Sequence, residues 1–117
     1  MKIISLLSSE PQEVVIASGA ALSGAIVFKS YSKGVFHMPA VWTAADIGFY
    51  VSSEVDGTYL PLYDGANPVV ITGPAADRSY PLPAGLAPAL FFRLWSNTAG
   101  VDTNQGAERT IIIELKA

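Results

Sequence analysis

A chain of 117 residues has the length of one domain, and its make-up, half apolar and 15% charged with 8 prolines and 10 glycines, favours many short strands over a few long helices. The net charge of −3 comes from scattered acids and the seven Lys and Arg never cluster, which excludes nucleic-acid binding by phosphate neutralisation. The absence of cysteine excludes disulfides and thiolate metal sites, and the longest early charge-free run, Val14 to Phe28, is too short and too rich in Ser and Gly to span a membrane.

At the amino terminus, Met-Lys-Ile-Ile-Ser-Leu-Leu runs into Ser-Ser-Glu-Pro instead of a long apolar core with a cleavage site, so no secretion signal is expected. Residues 1–10 read as an extended arm on a domain spanning 1–117. Pro11 to Ser18 predicts the first strand, and Gly19 to Gly24 a flexible crossing into a second strand over Ala25 to Tyr31. Ser32-Lys33-Gly34 is expected to turn the chain into Val35 to Met38, which Pro39 stops because it lacks an amide donor. The segment from Pro39 to Asp46 allows one helical turn, but Trp42 among small neighbours reads better as a plug at one end of a sandwich. In the next strand, Ile47, Phe49 and Val51 share one face while Gly48, Tyr50 and Ser52 share the other.

Asp56-Gly57 supplies turn chemistry for a hairpin from Ile47 to Tyr63, and Pro61 puts the returning strand, Thr58 to Asp64, at an edge or a bulge. Asp64 to Pro68 closes that strand, and Val69 to Thr72 reads as another. Gly73 to Pro88 is loop-like, with a short strand around Ser79 to Leu82. Ala89 to Ser96 and Glu108 to Lys116 are the last long strands. The first of these is apolar on both faces, Leu90, Phe92 and Leu94 against Phe91, Arg93 and Trp95, as in a central strand or one covered by a partner. Asn97 to Gly106, between them, reads as an exposed polar loop. Together these elements predict an all-β, antiparallel β-sandwich, jelly-roll-like, with about eight strands.

Chemistry is sparse in this pattern. His37 is the sole histidine, so a Ser-His-Asp, Cys-His or multi-histidine arrangement reads as incomplete within one chain, and His37 as a strand or rim residue. Glu54 and Asp56 flank a turn, and turn formation accounts for them better than paired-carboxylate catalysis. Asp56-Gly57 and Asp64-Gly65 lack the dense oxygen ligands of a calcium loop, and no phosphate-binding glycine loop occurs. No catalytic residue, metal or cofactor is therefore expected. So few charges on so apolar a chain suggest surface covered by assembly. The aromatics Trp42, Tyr50, Tyr59, Tyr63 and Trp95 offer either burial or a stacking platform for a sugar or base.

Several stretches together resemble a family of small virion proteins of tailed phages and prophages. They are Ser18-Gly-Ala-Ala-Leu-Ser-Gly-Ala25, Met38-Pro-Ala-Val-Trp-Thr-Ala-Ala45 leading into Ile47-Gly-Phe-Tyr-Val-Ser52, and Asp56-Gly-Thr-Tyr-Leu-Pro-Leu-Tyr-Asp64. Arg93-Leu-Trp-Ser-Asn-Thr98, Asn104-Gln105 and Ala107-Glu-Arg-Thr110 complete the pattern, which covers most of the chain from Ser18 onward. The chain departs from it at Trp95-Ser-Asn-Thr98, where the family often has Ser-Gly-Thr. The resemblance implies a non-enzymatic virion protein, assembled in the host cytoplasm into the phage particle. Its expected role is capsid decoration or cement, bridging subunits of the major capsid protein or other virion proteins, as a homo-oligomer such as a trimer. The alternative is a carbohydrate- or receptor-binding β-sandwich module of a phage tail, with a glycan as ligand. Trp42, Tyr59, Tyr63, Trp95 and Asn97 are the candidate partner-contact residues.

Overall fold

The computed structural model describes residues 10–117, so the expected arm lies outside the described residues except for Glu10, which opens the first strand. In chain order the strands are β1 (Glu10–Ile16), β2 (Ile26–Val27), β3 (Lys33–His37), β4 (Asp46–Ser52), β5 (Leu60–Pro61), β6 (Tyr63–Asp64) and β7 (Asn67–Pro68). After them come β8 (Ser79–Pro81), a 3-10 turn at Ala84–Leu86, β9 (Phe91–Thr98), β10 (Val101–Asp102) and β11 (Arg109–Lys116).

One sheet runs β1-β11-β3-β8; the other runs β10-β9-β4-β5, with β2 on the same edge of β9 as β10, and every pairing is antiparallel. Setting aside β10 and the small β6-β7 hairpin leaves eight strands. Counted by themselves they run 1-8-3-6 in one sheet and 2-7-4-5 in the other, which is the winding of a jelly roll. The period-two pattern explains the layers. In β11, Ile111, Ile113 and Leu115 are fully buried while Thr110 and Ile112 face outward. Val14 and Ile16 of β1, Phe36 of β3, Ile47 and Phe49 of β4, and Phe92 and Leu94 of β9 complete the core between the sheets. Burying each of the larger side chains contributes about 1.5–3 kcal/mol.

Several boundaries differ from the sequence reading, each for a local reason. The second strand shrinks to Ile26–Val27 because Phe28 and Lys29 both donate to the Leu90 carbonyl at 2.8 Å and Ser30 takes a φ of 76°, turning the chain. The turn therefore precedes Lys33 and Gly34, which belong to β3. Val69 to Thr72 forms no strand; Val69 donates to the Leu62 carbonyl at 3.0 Å, and Ile71 forms an isolated bridge, exchanging backbone bonds of 2.8 and 3.1 Å with Ile47. Leu90, expected on the buried face, precedes β9 and stays exposed. The β4-β5 hairpin forms, with Pro61 on the edge strand, but Gly57 is not in the left-handed region. It is required because a Cβ there would lie 2.7 Å from the Ser52 hydroxyl. Pro39 to Ala45 contains no helix, and Trp42 packs against the core, in keeping with the plug reading.

Candidate functional site

The winding places the β1-β2, β3-β4 and β9-β11 connections at one end of the sandwich, joined by the segment that leads to β8. The stretch expected to be an exposed loop, Asn97 to Gly106, is the one that ties this end together. Asn97 and Gln105 have no exposed surface at all. Gln105 Nε2 donates to the Thr43 carbonyl at 3.1 Å and to Ser96 Oγ at 2.9 Å, while Oε1 accepts from the Thr43 amide at 2.9 Å and from Arg109 Nε at 3.1 Å. Thr43 Oγ1 in turn accepts from Arg109 Nη2 and the Gly106 amide, both at 3.1 Å. The backbone adds Gly19 donating to the Gln105 carbonyl and Gln105 donating to the Ala20 carbonyl. Asn97 Oδ1 accepts from the Gly100 amide and holds the β9-β10 turn, in which Ala99 sits at a φ of 52°. Every buried amide here meets a partner, which is what an interior polar cluster requires. Its chemistry is positional: it fixes loops.

The outer face of the β9-containing sheet gathers four of the five aromatics proposed as a platform. Trp95 packs against Gly48, where a Cβ would fall 2.8 Å from the indole, and donates Nε1–H to Asp102 at 2.8 Å. Tyr50 meets Trp95 edge-on with ring centroids 5.0 Å apart, Tyr59 lies 4.5 Å below the Arg93 guanidinium, and Tyr63 reaches the Gly100 turn. The second apolar face of β9 is thus covered from within the chain. Trp95 is only 2% exposed and Asn97 is fully covered, so neither presents surface to a partner. Trp42, whose indole N–H donates to the Ala45 carbonyl, is half-buried in the β3-β4 connection; on this face Tyr63 is exposed and Tyr50 and Tyr59 are half-buried. Burial first, then the nearby Asp102 carboxylate and Tyr63, push the Tyr50 phenol above the ordinary tyrosine pKa of 10.0. The Arg93 Nε is buried without a hydrogen-bond partner, a donor that nothing in sequence order reveals.

On the outer face of the other sheet, His37 is a strand residue as expected, but its surroundings differ from the sequence reading. Nδ1 lies 2.6 Å from Ser79 Oγ and Nε2 2.8 Å from Glu114 Oε1, so one histidine does complete a serine-histidine-carboxylate row. The register explains it. Ser79 is directly opposite His37 on β8, and Glu114 is diagonal to it across the β3-β11 pair. Acyl transfer would also need amide donors aimed at a developing oxyanion. The row runs across β11, β3 and the edge strand β8 as a cross-strand hydrogen-bonded ladder. Among the described residues no three His, Asp or Glu side chains converge as metal ligands would, and no helix is long and apolar enough to cross a membrane.

No protein-family model and no curated protein sequence matches this chain. Among solved structures it is similar to the crystal structure of the SPBc2 prophage-derived protein YomS, with a TM-score of 0.54 and 10% sequence identity over 93% of this chain and 95% of that one. At that identity the likeness shows a shared fold, and it extends over nearly the whole of both chains.

Proposed function

We propose that the chain is a structural protein of a tailed-phage particle, and that it decorates the capsid as a cement protein bridging capsid subunits. The observation that supports this best is the end-to-end likeness in fold to a prophage-derived protein. The jelly roll is a winding that viral shells use repeatedly. A cement protein stabilises its shell by burying surface only in the assembled state, and so it needs a stiff framework and no chemistry. The major capsid protein is the partner on this reading, and the protein itself is a homo-oligomer, a trimer suiting the local three-fold joints of a shell. Mass spectrometry of purified particles from a strain carrying the gene tests the reading. The chain is expected among the head proteins, and its absence from particles, with no rebinding of the purified protein to them, overturns it.

One observation favours a second reading, a carbohydrate- or receptor-binding module of a tail. The exposed Tyr63 shares one face with the partly exposed Tyr59 and the Arg93 stacked on it, as in sites that stack sugars on rings. A glycan array with wild-type protein and Tyr59→Ala checks it. Array signals lost in the variant support it, and an array without signals overturns it.

A further inference from the structure

We propose that the loop end of the sandwich is the docking face of this protein, and that it seats on a protein surface of apolar sockets rimmed by Lys and Arg. This rests on the shell-protein reading above. Three observations converge on that end.

The first is exposed apolar surface. Val41 in the β3-β4 connection and Val101 in β10 are the two most exposed large aliphatic side chains of the described residues, at 63% and 69%. Each lies two positions from a threonine that is tied down, Thr43 by Gln105 and Arg109, and Thr103 by Thr98 and Ser96. Apolar side chains held out on stiff loops lose little freedom when a partner covers them, so the ordering cost of binding is already small. The buried Gln105 cluster holds the loops that carry them.

The second is charge. The exposed carboxylates Asp77, Asp102 and Glu108 lie on the segments that make this end, against one exposed cation among the described residues there, Arg78. All three lysines of the described residues, Lys29, Lys33 and Lys116, lie at the other end, where Ser32 donates to the Lys116 carbonyl and where Glu54 and Asp56 offset part of their charge. An acidic rim around apolar knobs selects a basic rim around apolar sockets, and it disfavours an acidic or nucleic-acid surface. The third is shape. Tyr63 of the β6-β7 hairpin reaches the Gly100 turn, so the hairpin and the β9-β10 tip form one continuous surface and not separate protrusions.

The test uses head shells purified from a deletion strain of the phage that encodes the chain, with the full-length protein added back in a sedimentation assay. Wild type is expected to bind. Val41→Asp with Val101→Asp is expected to bind at least tenfold more weakly, and Glu108→Lys to bind more weakly at low salt. Lys29→Glu with Lys33→Glu, at the far end, is expected to bind as wild type. All the altered side chains are exposed, and a matched urea transition in each variant shows that any loss is not unfolding. Wild-type protein that binds no shell overturns the shell-protein reading and this proposal with it. Wild type that binds while the loop-end variants bind equally well, or while only the lysine-end variant fails, overturns the docking face alone. A change in the oligomeric state of the isolated loop-end variants by light scattering also overturns it, since the face then joins copies of this chain.

Discussion

Gln105 is the residue on which the loop end depends, because its fully buried amide makes four hydrogen bonds. Replacing it with leucine of similar volume leaves the Thr43 amide and the Arg109 Nε without acceptors. Unfolding free energy from urea titration is expected to fall by about 2–4 kcal/mol, well beyond the cost of losing one exposed hydrogen bond. Ala99 works in the opposite direction. Its φ of 52° is a conformation that a Cβ disfavours, so Ala99→Gly is expected to raise stability by about 0.5–1 kcal/mol in the same assay. Tyr50 gives the molecule an alkaline limit. A phenol whose folded pKa lies above its unfolded value holds its proton more tightly when folded, so its contribution is complete below about pH 10 and is lost as pH rises through the folded value. Stability is expected to fall above about pH 10 and to fall less steeply in Tyr50→Phe, which melting curves from pH 8 to 11 measure. The polar residues were the hardest to read in the sequence. Asn97 and Gln105 sit among Thr, Asp and Gly and look like loop surface, yet Gln105 is satisfied by Thr43, 62 positions earlier. Nothing local in the chain encodes that meeting.

At the level of elements, period-two alternation carried most of the information. β4 and β11 bury the faces their sequences indicate, and β9, apolar on both faces, lies inside its sheet between β4 and the β2-β10 edge. What alternation does not show is who covers the second face. Tyr50 and Tyr59, from β4 and the approach to β5, do so, which turns a strand that invited an outside partner into an internal one. The short strands were legible only as turn chemistry, since two-residue pairings such as β2 and β7 depend on neighbours far along the chain. The partners Ser79 and Glu114 are not legible in the sequence for the same reason: both meet His37 through register, 42 and 77 positions away. The two classes of strand are expected to differ in protection. Amides of β4, β9 and β11, paired on both sides, exchange at the global unfolding rate, while those of β5, β6 and β7 exchange by local opening. Hydrogen exchange by mass spectrometry measures this, and equal protection across both sets contradicts the assigned sheet order.

For the whole molecule, the winding makes the ends of the described chain interdependent. β11 is the last strand, yet it lies between β1, the first, and β3, and its register runs from Glu10↔Leu115 to Ile16↔Arg109. Neither sheet-forming neighbour has that partner until the chain is complete. Pairings of such long sequence separation are slow to form because loop closure precedes the burial that rewards it, which places refolding in the millisecond-to-second range typical of β-sandwiches. The same geometry makes a sharper claim about truncation. A chain ending at Gly106 keeps every residue of the β9 sheet but loses Ile111, Ile113 and Leu115, three fully buried side chains, and leaves β1 and β3 with open edges facing each other. It also loses Arg109 from the Gln105 cluster, so the loop end loosens along with the core. The truncated chain is expected to show no cooperative urea transition and to associate through its unpaired strands, whereas removing only the last two residues, Lys116 and Ala117, leaves the transition in place. A cooperative transition in the chain ending at Gly106 means that the β9 sheet holds a core of its own, contrary to the shared core between the two sheets.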